Sequence, residues 1–150
     1  MMLRLVLAAV HLLALGIGLG AVYVRGRALS GRMDADKVRA ALAADAWWGL
    51  AALLWVGTGL WRLFGAIEKD TAYYMGNHVF WTKMLLFIGI LAMEIRPIIT
   101  LSRWRRELAR GIPPNTSSAA RISRLSYAQA VLVVLMVLAA AAMARGIGAR

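Results

Sequence analysis

Six ionisable side chains stand inside long apolar runs of this sequence: His11, Asp45, Arg62, Lys83, Glu94 and Arg96. Charge in hydrocarbon is expensive, so residues of this kind mark a ligand site or a buried pair. Asp45 and Arg96 have opposite signs and both fall near the inner edge of their runs, given a rise of ~1.5 Å per residue. They are expected to form an interhelical ion pair. Glu94, roughly 6 Å to the inner side of the bilayer midplane, joins them with Gln129 in one mixed cluster, and a proton path through Glu94 is the alternative. Arg62 and Lys83 lie about 10 Å to the outer side of the midplane, with no acid at their own depth. They either snorkel outward or turn inward to hold an anion. A haem propionate, a quinone oxygen, a lipid phosphate or an anionic solute would each suit them.

His11 is the one histidine well inside a run. An imidazole there is either a hydrogen-bonded packing residue or a ligand. His78 lies roughly 14 Å from it along the chain axis, too far for both rings to approach one iron to ~2 Å. Lys83 differs from His11 in depth by only about 6 Å. A single-histidine or His/Lys site is therefore the haem geometry that remains. Met75-x-x-His78 offers a thioether and an imidazole, which suit copper(I), but two ligands do not complete a site. With no cysteine, thiolate metal sites, iron–sulfur clusters and disulfides are excluded. No Gly-x-Ser-x-Gly, phosphate loop, His-Glu-x-x-His or dinucleotide fingerprint occurs.

Four apolar runs must position these residues: about 5–24, 44–64, 79–101 and 127–143. Each approaches the ~20 residues that span a bilayer. The chain is 61% hydrophobic and has a mean hydropathy of +0.67, too apolar for a soluble domain of 150 residues. Run one is long for a signal-peptide core and reads as a retained helix. Its Gly16-x-x-x-Gly20 pair would let another helix approach closely, which is compatible with a homo-oligomer. Pro97 is placed to kink the third run. The net charge of +11 resides mostly in the first and third loops, while the middle loop holds only Lys69. That asymmetry is a topology signal, not a nucleic-acid footprint. It puts loops one and three in the cytoplasm and both termini outside. Trp47, Trp48 and Trp104 then fall at the inner boundary, and Trp61, Tyr73, Tyr74 and Trp81 at the outer one. Short loops favour antiparallel neighbours, so the expected fold is all-α, a single up-and-down four-helix transmembrane bundle.

The stretch Ala44-Asp45-Ala46-Trp47-Trp48-Gly49-Leu50-Ala51-Ala52 resembles the second helix of a bacterial membrane-protein family, domain of unknown function 2214. Thr58-Gly59, Lys69, Tyr73-Tyr74, Asn77, Phe80, Lys83, Pro97 and Arg103-Trp104-Arg105 extend the likeness, and His11 stands in a matching His-Leu-Leu-Ala-Leu run. The resemblance covers residues 5 to about 106 and implies a bacterial inner-membrane location. A more distant similarity joins the helix-one histidine with a tryptophan two residues before a lysine in helix three, Trp81 and Lys83 here. That pattern resembles HemJ-type protoporphyrinogen oxidases and the CopD membrane domain. It implies a haem b site using His11 and Lys83.

Three functions follow as expectations. A haem-binding redox protein acting on a porphyrin or quinone would be coloured. A small-solute or metal permease would show a polar path joining the outer and inner clusters. A non-catalytic assembly subunit would have its charges paired off inside and an apolar face for a partner.

Overall fold

The structure, a computed structural model, describes residues 2–64 and 75–148, with the side chains of residues 62 and 63 outside the description. Its elements are α1 (Met2–Ala28), α2 (Ala35–Phe64), α3 (His78–Ala109) and α4 (Ala119–Ala144). All four are long and apolar enough to cross a membrane. The described chain is thus an all-α membrane bundle.

Each helix outruns its apolar stretch at the end that carries the basic loops. Hydropathy marks only the part fit for hydrocarbon, whereas backbone hydrogen bonding continues into the polar region until a cap or glycine stops it. Arginine and leucine are good helix formers, so α1 carries on through Arg25 and Arg27. Gly31, at φ +73°, turns the chain. Asp34 Oδ1 accepts from the Lys37 amide at 2.8 Å and starts α2 nine residues before its apolar run. Gly111, also at φ +73°, follows the end of α3. Pro97 is buried within α3, which continues through it.

α1 packs on α2 and on α4, and α4 packs on α3, whereas the α2 and α3 backbones approach each other least of the neighbouring pairs. The order around the bundle is therefore α2–α1–α4–α3, and α2 and α3 meet through long side chains, Trp55 on Phe87 and Arg105 on Asp45 and Leu42. A central core joins Ala14, Ala21, Val22, Trp48, Trp55, Ile90, Ala130, Val133 and Met136. Gly18 lets α2 come close there: a Cβ on it would stand 3.4 Å from both Ala51 and Trp48. A second core at the basic end joins Leu29, Val38, Ala41, Leu101, Trp104, Ala119 and Ile122. Gly16 and Gly20 meet no described atom within 4 Å and point out of the bundle.

At the opposite end the segment after α4 folds over the start of α3. Asn77 is fully buried and caps α3 through Oδ1, which accepts from Val79 N at 2.8 Å and Phe80 N at 3.3 Å. Its Nδ2 donates to Ile147 O, and the His78 amide donates to Gly148 O at 3.3 Å. Gly148 has φ +83°, and a Cβ there would lie 2.6 Å from Val79 Cγ2 and 2.9 Å from Asn77 Oδ1. Gly148→Val is therefore expected to detach this clasp. Hydrogen exchange should show it as a rise of at least about tenfold at the His78 amide, with the amides of the α3 centre unchanged. Unaltered protection at His78 would refute the clasp.

Candidate functional site

The buried faces of the four helices meet around Arg25, which has no exposed surface. On α1 the small or apolar residues Ala14, Gly18, Ala21 and Val22 form an inward stripe, and Arg25 continues it at helical spacing. All five guanidinium hydrogens are placed. Nε donates to Ser126 Oγ on α4 at 3.0 Å. Nη1 donates to Asp45 Oδ1 on α2 at 2.8 Å and to Glu94 Oε1 on α3 at 2.7 Å. Nη2 donates to Glu94 Oε2 at 2.9 Å and to Gln129 Oε1 on α4 at 2.7 Å. The Glu94 contact is the forked pairing for which a planar guanidinium is suited.

The surrounding groups complete this network. Gln129 Nε2 donates to Glu94 Oε2 at 2.7 Å and to Ile90 O at 3.2 Å. Arg105 Nη2 donates to Asp45 Oδ2 at 2.7 Å and to Leu42 O at 3.0 Å. The Arg25 guanidinium also lies 5.9 Å from the Trp48 ring centroid. Gly26 permits the close approach of α4, since a Cβ on it would meet Ser126 and Tyr127 at 3.3 Å. With Arg25 and Arg105 against Asp45 and Glu94, the formal charges cancel, and each helix supplies at least one member. Such a network holds register and orientation. It offers no open donor to a substrate.

This corrects the expected partner of Asp45 and Glu94. Arg96 makes no ion pair among the described residues and lies exposed on the outer face of α3. Glu94 and Arg96 are two residues apart, hence about 200° apart around the helix, and cannot face the same core. Arg25 reads as a loop residue because it follows the apolar run directly. Its place on the small-residue stripe of α1 is the signal that could have found it.

His11 occupies the other half of the bundle, where α1 meets α2. Its Nδ1 lies 2.8 Å from Thr58 Oγ1. The Thr58 hydroxyl is also 2.7 Å from Leu54 O, one turn earlier, which can take its single proton. In the arrangement in which Thr58 gives its proton to Leu54 O, Thr58 accepts from His11 Nδ1–H. Gly59 leaves room for the ring, with its notional Cβ 3.4 Å from His11 Cε1. The Trp55 ring stands 6.0 Å from His11 and meets Phe87 on α3 edge-on at 5.9 Å. Trp55 is buried, and its indole N–H has no hydrogen-bond partner among the described residues. Lys83, half-buried, lies one turn before Phe87 on the same side of α3. The aromatic pair thus bridges from His11 toward the helix face that carries Lys83.

The Arg62 side chain lies outside the described residues, as do Lys69, Tyr73 and Tyr74. His78 is exposed at the first position of α3, and Met75 is exposed beside it. Among the described residues no group of three histidines or carboxylates is placed to hold a metal. A small apolar cavity of about 10 Å³, the room of a single water, separates the two clusters. Ala14, Leu15, Gly18, Ala51, Ala52 and Val133 line it, together with Trp48 and Trp55. It provides no polar route between them.

Fold and site together define a multi-pass helical membrane protein with an internal arginine–carboxylate lock. Residues 3–148 match the family described as "Predicted membrane protein (DUF2214)", and the chain belongs to that family. No curated protein and no solved structure matches it.

Proposed function

We propose that this protein is a haem-binding redox protein of the bacterial inner membrane that acts on a porphyrin or a quinone. The anchoring of His11 carries the reading. Histidines that ligate metals donate their other ring N–H to a fixed acceptor, which orients the ring and strengthens the ligand nitrogen. The His11 Nδ1 contact with Thr58 Oγ1 at 2.8 Å supplies such an anchor when the ring carries its proton on Nδ1. The unpartnered Trp55 N–H nearby suits a carboxylate or carbonyl oxygen, so the donor set fits a haem bearing propionates. His11 would hold the iron, and Lys83, with Arg62 from α2, would hold anionic groups. The haem would supply one-electron chemistry. The protein's part is to fix the ring, exclude water and keep the ligand neutral. The interior cavity among the described residues is far smaller than a porphyrin, so the group would have to sit against the α2–α3 side of the bundle, where neighbouring helix backbones approach least. The distant resemblance to HemJ-type proteins points to the same pair, His11 and Lys83. Loop charges favour a cytoplasmic basic end and outside termini.

A second reading, a non-catalytic assembly subunit, is favoured by the self-satisfied Arg25 network and the very small cavity. The apolar packing between the clusters gives a permease less support.

The test is the absorbance spectrum of detergent-purified protein, before and after adding haem, for wild type, His11→Ala and Thr58→Val. The expected result is a Soret band in wild type, its loss in His11→Ala, and haem affinity lowered about 10- to 100-fold in Thr58→Val. Circular dichroism should show all three folded. A wild type that stays colourless with haem present would end the haem reading in favour of the assembly subunit.

A further inference from the structure

We infer that the outer face of α3 is a seat for an anionic phospholipid, with Arg96 and Arg103 gripping the phosphate. The face is a stripe along the helix. Taking 100° per residue, Leu85, Ile88, Ile95, Ile99, Arg96 and Arg103 fall within a sector about 100° wide. All are exposed, the four aliphatic residues between 58% and 71%. The opposite side of α3, with Ile90, Glu94, Pro97, Leu101 and Trp104, is the one buried in the bundle. The outer face therefore runs from apolar side chains in the span to cations at the basic end, in the order of a phospholipid's chains and headgroup.

Depth agrees with that match. Arg96 is two residues from Glu94, which is bonded to Arg25, and Arg25 directly follows the last apolar residue of α1. Arg96 thus lies about 3 Å beyond the lock, at the edge of the hydrocarbon, where lipid phosphates begin. Ile95 and Ile99 flank it, so its charge emerges from an apolar surface. The nearby internal carboxylates are already committed: Glu94 to Arg25, and Asp45 to Arg25 and Arg105. Arg103 is seven residues on, about 10 Å along the helix, and is held only loosely by Glu107 at 3.7 Å. An arginine side chain spans much of that distance, so both guanidinium groups reach one headgroup. A negative phosphate is the complement this surface lacks.

The test is native mass spectrometry of the full chain released from detergent, with phosphatidylglycerol and phosphatidylcholine of identical chains offered at equal concentration. Wild type is expected to retain at least about five times more phosphatidylglycerol than phosphatidylcholine. Arg96→Gln should reduce that preference about fivefold, Arg96→Lys should restore part of it, and Arg121→Gln, on α4, should leave it unchanged. Lipid-free Arg96→Gln should keep the wild-type circular dichroism, because no internal contact is lost. Absence of a preference in wild type, or equal losses in Arg96→Gln and Arg121→Gln, would overturn the inference by showing diffuse attraction to a basic end. Displacement of the lipid by millimolar inorganic phosphate alone would also overturn it, since the apolar face would then add nothing.

Discussion

Replacing Arg25 with methionine is expected to destabilise the bundle by about 3–5 kcal/mol, the range for breaking a buried pair by removing one partner. The cost arises mainly from what remains. Asp45 keeps Arg105, but Glu94 is left with only Gln129 as a side-chain donor, in a region where its burial was tolerable because a guanidinium forked both oxygens. Ser126 and Gln129 also lose a donor. Lysine at position 25 should recover part of the loss, since it keeps the charge but offers three donors and no planar fork. Removing both charges in Arg25→Met/Glu94→Met should restore much of the stability, because well-packed apolar replacements of buried ion pairs are often neutral or better. Unfolding of wild type, Arg25→Met, Glu94→Met and the double variant in mixed micelles with increasing dodecyl sulfate, followed by far-UV circular dichroism, gives the four values needed for a double-mutant cycle. If Arg25→Met stays within about 1 kcal/mol of wild type, well below the range for a broken buried pair, the network does not hold the helices together.

Trp104→Ala should cost a similar amount, about 3–5 kcal/mol, as large-to-small changes of fully buried aromatic residues do. Trp104 has no exposed surface and packs with Leu29, Val38, Leu101 and Ile122, which belong to four different segments of the basic end. Its indole also donates to Asn115 O at 3.1 Å and so ties the 110–118 connection to α3. Trp104→Phe separates the two contributions: it keeps most of the ring and loses only that hydrogen bond, for about 1 kcal/mol. The same micelle titration reports the global cost, and proteolysis within the 110–118 connection reports the local one. A Trp104→Ala protein as stable as wild type would mean that the basic-end core is dispensable once the Arg25 lock is formed.

The tryptophans show where sequence reasoning loses its grip. Trp47, Trp48 and Trp104 share one boundary by depth, and an interfacial belt is the natural reading. In the structure Trp47 is 58% exposed, whereas Trp48 and Trp104 are buried. Depth is a count of residues along a run, but a belt residue and a core residue at one depth differ only in azimuth. Azimuth depends on which neighbour the helix packs against. Arg96 and Arg25 exchange roles for the same reason.

The sequence by itself determined that this is a four-helix membrane chain, because hydropathy, loop length and loop charge are local and additive along the chain. It also marked Asp45, Glu94, Gln129, His11 and Lys83, because polar side chains in apolar runs stand out individually. Only the tertiary structure decided which of them meet. It drew Arg25 inward, placed Thr58 beside His11, left Arg96 exposed on the outer side of α3, and set α1 between α2 and α4. Those outcomes follow from helix rotation and neighbour order. Both are set largely by the need to pair the buried Arg25 guanidinium with Asp45 and Glu94 across the helices at once, a condition that no single segment of sequence contains.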